Sequence, residues 1–255
     1  MISKNLLLLT VMLVLFSSCS HVYAPALFHQ NIAYQPKPAS FDTAKSATYV
    51  SLGWNNYTSP EYEDLLESAQ LNISRGHDFK NFNLAYGAFG VLGNYNNSTS
   101  GNSATNNPPN NFSDKFFGAY GGRISADAYV TSGRVDFRFI GFEAAYSHEF
   151  GSYAAFRSAA VKSPDYDVDP RTNLFTIGLT TEVIFHNVGD NGFENGIRGF
   201  LGTTVGYSDL SNNYNRNASA LNSVFPKVSY FIKYKKYFGT IEAGSNILVR
   251  FGFVF

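Results

Sequence analysis

From Ala47 to the last residue, Phe255, the chain alternates apolar and polar side chains with a period of two, in runs separated by polar turns. Neighbouring side chains on a strand point to opposite faces, so such a pattern demands a sheet with one greasy and one polar surface. The runs read as Tyr49–Asn56, Ser68–Arg75, Phe82–Tyr95, Phe116–Val130, Arg134–Phe150, Leu174–His186, Ile197–Ser208, Val224–Lys235 and about Phe238–Phe255. Several exceed the five or six residues of an ordinary soluble strand.

The two faces differ in chemistry. Phe175, Ile177, Leu179, Val183 and Phe185 oppose Thr176, Gly178, Thr180 and Glu182; Ile197, Leu201 and Val205 oppose Arg198, Gly202 and Thr204. In this register the charges within the strand bodies fall on the polar face. That sorting is what a membrane barrel needs, because a lipid-facing Arg or Lys at mid-depth costs about 2–4 kcal/mol. The phase switches at Phe139-Ile140, where a β-bulge would restore one continuous face.

Composition agrees with a lipid-facing exterior. Charged residues make up 15% of the chain against an average of about 25% in soluble domains, and aromatic residues make up 16%, with 24 Phe and 17 Tyr. The formal net charge of zero leaves no basic surplus for nucleic acid. A single cysteine excludes an internal disulfide framework and a cysteine-based zinc site. Sequons such as Asn56-Tyr57-Thr58 read as by-products of Asn- and Ser-rich loops.

Connections at 76–79, 131–133 and 236–238 are short, whereas 96–114 and 151–172 are long. Outer-membrane barrels have short periplasmic turns and long extracellular loops. Breaking the last run at Gly244-Ser245-Asn246, a good turn sequence, gives ten strands and brings both barrel ends to the periplasm. The expectation is therefore an all-β, antiparallel, up-and-down transmembrane barrel of about ten strands over 46–255, with eight or twelve as alternatives.

Lys4 followed by the apolar run Leu6–Phe16 reads as an export signal over 1–18, about half the length that spans a bilayer as a helix. It runs into Leu15-Phe16-Ser17-Ser18-Cys19, similar to a lipobox, although Phe16 stands where Leu is usual. Cys19 is the expected lipidation site. Residues 19–45, with Pro25, Pro36 and Pro38, read as a periplasmic tether.

The ending Val249-Arg250-Phe251-Gly252-Phe253-Val254-Phe255 looks like the C-terminal signal that barrels present to the insertion machinery, with Phe251, Phe253 and Phe255 as its aromatics. With Cys19 and the following Val22-Tyr23-Ala24-Pro25, the chain resembles outer-membrane β-barrel lipoproteins of unknown function of the Bacteroidota type. The resemblance implies location and fold: the bacterial outer membrane, a lipid anchor on the periplasmic side, and the barrel-insertion and lipoprotein-sorting machineries as partners. It implies no established activity.

Arg123, Asp127, Arg138, Glu143, Glu182, Arg198, Lys233 and Arg250 are expected to face the lumen, where both charge signs would form an ion-paired plug rather than a wide pore. Ser147-His148-Glu149 has the residue types of a hydrolase, but His148 would point away from its neighbours. Asp165-Tyr166-Asp167-Val168-Asp169-Pro170 departs from a calcium loop, because Pro170 replaces the required Gly and Thr176 stands where a Glu is expected. No catalytic residue, cofactor site or metal site is assigned. The leading expectation is a non-enzymatic barrel with a structural or interaction role through its extracellular loops, embedded in outer-membrane lipid and open to a membrane-protein partner. The alternative is a small channel or transporter for a small or hydrophobic solute; a lipid-modifying hydrolase ranks third.

Overall fold

The computed structural model describes residues 21–58, 64–97, 114–162, 166–186, 192–206 and 224–255. The export signal 1–18, Cys19 and most of the polar loop 96–114 lie outside the described residues.

Ten strands close into an antiparallel barrel: β2 (Ser46–Thr58), β3 (Asp64–Phe79), β4 (Phe82–Asn97), β5 (Lys115–Ser132), β6 (Val135–Phe150), β8 (Asn173–His186), β9 (Phe193–Thr204), β10 (Val224–Tyr234), β11 (Tyr237–Ala243) and β12 (Asn246–Val254). Each barrel strand pairs with the barrel strands before and after it in the chain, and β12 pairs with β2 to shut the ring, from Asn246↔Tyr57 to Val254↔Tyr49. Closure leaves no unpaired strand edge. The ten-strand expectation holds, including the break after Ala243, with Gly244 and Ser245 between the last two strands. One turn falls later than expected. β3 runs on through Gly76, His77 and Asp78, which pair with Ala85, Leu84 and Asn83, so the reversal is at 80–81 rather than 76–79.

The phase switch at Phe139-Ile140 is a bulge. The β6–β8 register shifts between Arg138 and Gly141, and Phe139 and Ile140 both face outward. One extra residue lets Arg138 and Glu143 both point inward although five positions separate them.

The barrel is inverted relative to a soluble core. Leu52, Leu71, Leu92, Leu179, Ile197, Leu201, Val228 and Ile241 are exposed on its outer wall, while the inner wall buries Arg, Lys, Asp and Glu. Arg75 departs from the sorting expected from the sequence, since it lies on the outward face of β3, as does Glu67 toward the strand's other end. It stands only four residues from Phe79 at the strand's end, and a barrel tolerates a cation near the interface at a cost of about 0–1 kcal/mol. Phe251, Phe253 and Phe255 also face outward, and Phe255 exchanges backbone bonds with Thr48 at 2.9 and 3.0 Å, fastening the chain end to the first barrel strand.

The long connection 151–172 has structure of its own. It holds α1 (Ser152–Ala160) and β7 (Tyr166–Val168), and β7 pairs in parallel with β1 (His21–Tyr23). That pairing corrects the expected periplasmic tether. The N-terminal segment starts at the long-loop rim, descends inside the barrel and emerges at the opposite rim to begin β2. Residues Tyr23 to Ala39 are buried without interruption.

Candidate functional site

Among the described residues charge is concentrated in the bore, and the N-terminal segment occupies it. Between Pro25 and Asn31 the segment makes a tight coil, with Phe28 N–H bonded to the Pro25 carbonyl at 3.0 Å and Gln30 N–H to that of Leu27 at 2.8 Å. Pro36 and Pro38 then hold it out of helix, leaving carbonyls and amides free to bond the wall. A buried backbone needs such partners.

The wall supplies them at successive depths. Near the long-loop rim, Ala26 N–H donates to Glu149 at 2.8 Å, and Glu149 is paired with Arg157 of α1 at 2.6 Å. Tyr153 of α1 donates to the Ala24 carbonyl at 2.9 Å, and burial raises its phenol pKa well above the ordinary tyrosine value. Tyr23, Tyr95 and Tyr153 pack together there as an aromatic lid.

Lower down, Arg123 donates to the Asn31 carbonyl at 2.6 Å and to Asn72 at 2.7 Å, with its guanidinium 3.7 Å from the Phe89 ring centre. Lys227 donates to the Ile32 carbonyl at 3.0 Å. Tyr34 is held at both backbone ends: its N–H donates to Glu242 at 2.9 Å and its carbonyl accepts from Arg250 at 2.6 Å. Arg250 and Glu242 pair with each other at 2.7 Å. Arg198 makes a two-pronged contact with Glu143 and donates to Ser229 at 3.1 Å.

Toward the short-turn rim, Lys37 meets Asp127 at 2.6 Å. Arg138 pairs with Glu182 at 2.5 Å and reaches the Pro38 carbonyl at 3.2 Å. Ser40 donates twice to Asp136, at 2.5 and 2.8 Å, and Lys233 bridges Asp42 and Glu194 at 2.8 and 3.1 Å. The backbone passes so close that a Cβ built on Gly76 would meet Pro38 Cδ at 2.8 Å and Lys37 Cα at 3.0 Å. Only glycine leaves that room.

All eight residues expected in the lumen lie inside the barrel: Arg123, Asp127, Arg138, Glu143, Glu182, Arg198, Lys233 and Arg250. Of the other wall groups, Glu149, Lys227, Asp136 and Glu242 were legible as inward positions of the runs read from the sequence, whereas Glu194 precedes its run at Ile197, and Lys37, Ser40 and Asp42 belong to the segment read as a tether. The overlooked signal is the segment's own composition. Between His21 and Phe41 the single Lys, Arg, Asp or Glu is Lys37, which is unlike a solvated linker.

The other candidate chemistries do not converge. Ser147 and Glu149 point into the barrel, whereas His148 lies on the outer side and contacts Asn173 Oδ1 at 2.9 Å. Asp169 is clasped by Arg171 at 2.5 Å. Among the described residues no group of three His, Cys, Asp or Glu is placed to hold a metal.

No protein-family model matches the chain, and no curated protein matches it. Among solved structures, the transport unit of the autotransporter AIDA-I from Escherichia coli aligns with a TM-score of 0.39 and 8% identity, covering 88% of this chain and 93% of that one. KdgM porin aligns at 0.30 with 14% identity over 81% and 98% of the two chains. The translocator domain of the autotransporter NalP from Neisseria meningitidis aligns at 0.33 with 6% identity over 85% and 90%. Scores at this level carry no argument about what this bore holds or passes.

Proposed function

We propose that the chain is an outer-membrane barrel closed by its own N-terminal segment, lipidated at Cys19, with no enzymatic activity and with a structural or interaction role exercised at the long-loop side. The observation that carries this reading is the continuous bonding of residues 24–42 to the wall, from Glu149 at one rim to Lys233 at the other. A channel would require that segment to leave, with each of its wall partners stranded. The divergence of His148 from Ser147 and Glu149 supports the absence of hydrolase chemistry.

The position of β1 supports the long-loop side for the lipid on Cys19 rather than the periplasmic side expected from the sequence. Cys19 precedes His21 by two residues, a reach of about 7 Å in fully extended chain, and His21 pairs with Tyr166 in the long-loop connection. Long loops are extracellular in such barrels, so a lipid on Cys19 sits in the outer leaflet rather than the periplasmic one.

Full-length protein in planar bilayers tests the closed bore: the expected record is flat, and reproducible conductance steps overturn the reading. Radioactive palmitate incorporation that is lost in Cys19→Ala tests the anchor. An epitope inserted after Ser20 that is reached by antibody on intact cells tests its side.

A further inference from the structure

A groove of about 730 Å³ indents the outer wall across β3 to β6. Its floor is made where side chains are missing or short. Ala88 on β4 pairs with Gly122 on β5, and Ala144 on β6 pairs with Ile124 of β5. A Cβ added at Gly122 would meet only the Gly87 carbonyl at 3.5 Å, so the floor there is open space. Ile73, Ile124 and Phe175 wall the groove, giving it an apolar lining along most of its length.

One end is different. Thr48 and Arg75 stand at the side nearest the short-turn rim, and Arg75 is the cross-strand neighbour of both Thr48 and Tyr86. Arg75 donates to Ser46 Oγ at 3.3 Å. The His77 ring stacks on that of Tyr86, its Nε2 3.4 Å from the Tyr86 hydroxyl. Among the described residues no carboxylate forms a salt bridge with Arg75. The arrangement is an outward cation with hydroxyls around it, at the mouth of a greasy trough, four residues from the short-turn end of β3.

We propose that this groove binds a glycerophospholipid of the leaflet at the short-turn rim, its phosphate on Arg75 and one acyl chain along Ala88, Gly122 and Ala144. A guanidinium matches phosphate oxygens in a two-pronged geometry. A protein occupant would have to bring a carboxylate into the membrane to neutralise Arg75, whereas the surrounding lipid offers a phosphate at that level already. The long apolar lining and the polar end then serve the two halves of one molecule.

Native mass spectrometry of the full chain in detergent micelles tests this, with phosphatidylglycerol and a diacylglycerol of the same chains as probes. Phosphatidylglycerol adducts are expected to survive detergent removal, and diacylglycerol adducts to be weaker. Arg75→Gln should reduce phosphatidylglycerol retention about tenfold, the equivalent of one charge-assisted bond. Ala88→Phe, which fills the trough, should remove retention of both probes. Both substitutions point into lipid, and heat-dependent gel mobility establishes that each variant is folded. Equal retention of the two probes with Arg75→Gln unchanged would overturn the proposal. So would dimers that disappear in Ala88→Phe without any lipid adduct, since a second copy would then cover the groove.

Discussion

Arg250 of the final strand donates to the carbonyl of Tyr34 at 2.6 Å, joining the end of the chain to the segment that fills its interior. The same guanidinium pairs with Glu242 on the neighbouring strand, and Glu242 in turn accepts from the Tyr34 amide. The closing hairpin of the barrel and the N-terminal segment, more than 200 residues apart, are thus fixed by two charged side chains, both almost wholly buried.

Removing one partner of that buried pair leaves the other uncompensated. Arg250→Met is expected to destabilise the barrel by about 3–5 kcal/mol. Urea unfolding in lipid vesicles reads this as a lowered midpoint. The double variant Arg250→Met, Glu242→Gln should recover part of the loss, because the stranded charge is gone. A double variant no better than the single one would show that the pair is not the source.

The segment itself closes the bore. Replacing 24–42 with a shorter Gly-Ser linker should convert a silent protein into one with measurable conductance in planar bilayers, provided gel mobility shows an intact barrel. A folded, silent variant would mean that the wall side chains collapse inward and suffice alone.

The bulge at Ile140 fixes which face of β6 meets lipid. Deleting Ile140 shifts one half of the strand by one residue, and a slip of one flips every side chain beyond it. Arg138 or Glu143 would then be turned outward. The expected outcome is failure to form the heat-modifiable species, and a deletion variant that still forms it would contradict the assigned register.

Depth along the outer wall is testable by charge. Ile197→Arg places a cation in the middle of β9 and should cost about 2–4 kcal/mol in vesicle unfolding. Were the protein a soluble barrel of the same fold, that exposed position would accept arginine with little effect.

Much of this architecture is written in alternation. The inward Arg198 and Glu182, the outward Ile197 and Val183, the break at Gly244-Ser245 and even the phase slip at Ile140 all follow from side chains that must choose between two faces. The segment 23–39 has no such choice. Wall surrounds it on every side, so Leu27, Ile32, Tyr34 and Lys37 are all buried, and burial without an exposed face leaves no period to detect. What the sequence offered there was a scarcity of charge, a weaker signal than rhythm. Arg75 departs from the alternation rule because, four residues from the strand's end, a long side chain on the oily face can lean toward the polar layer.

The seam between β12 and β2 sets an order of events. Until Asn246–Val254 arrives, the sheet is an open trough into which the leading segment can be laid from the side. Once the seam zips, the only entrances are the two mouths, one under the Tyr153 lid and the other crossed by the Lys233–Asp42 bridge. A segment laid in from the open side avoids threading either mouth, and pairing of β12 with β2 then encloses it along its whole length.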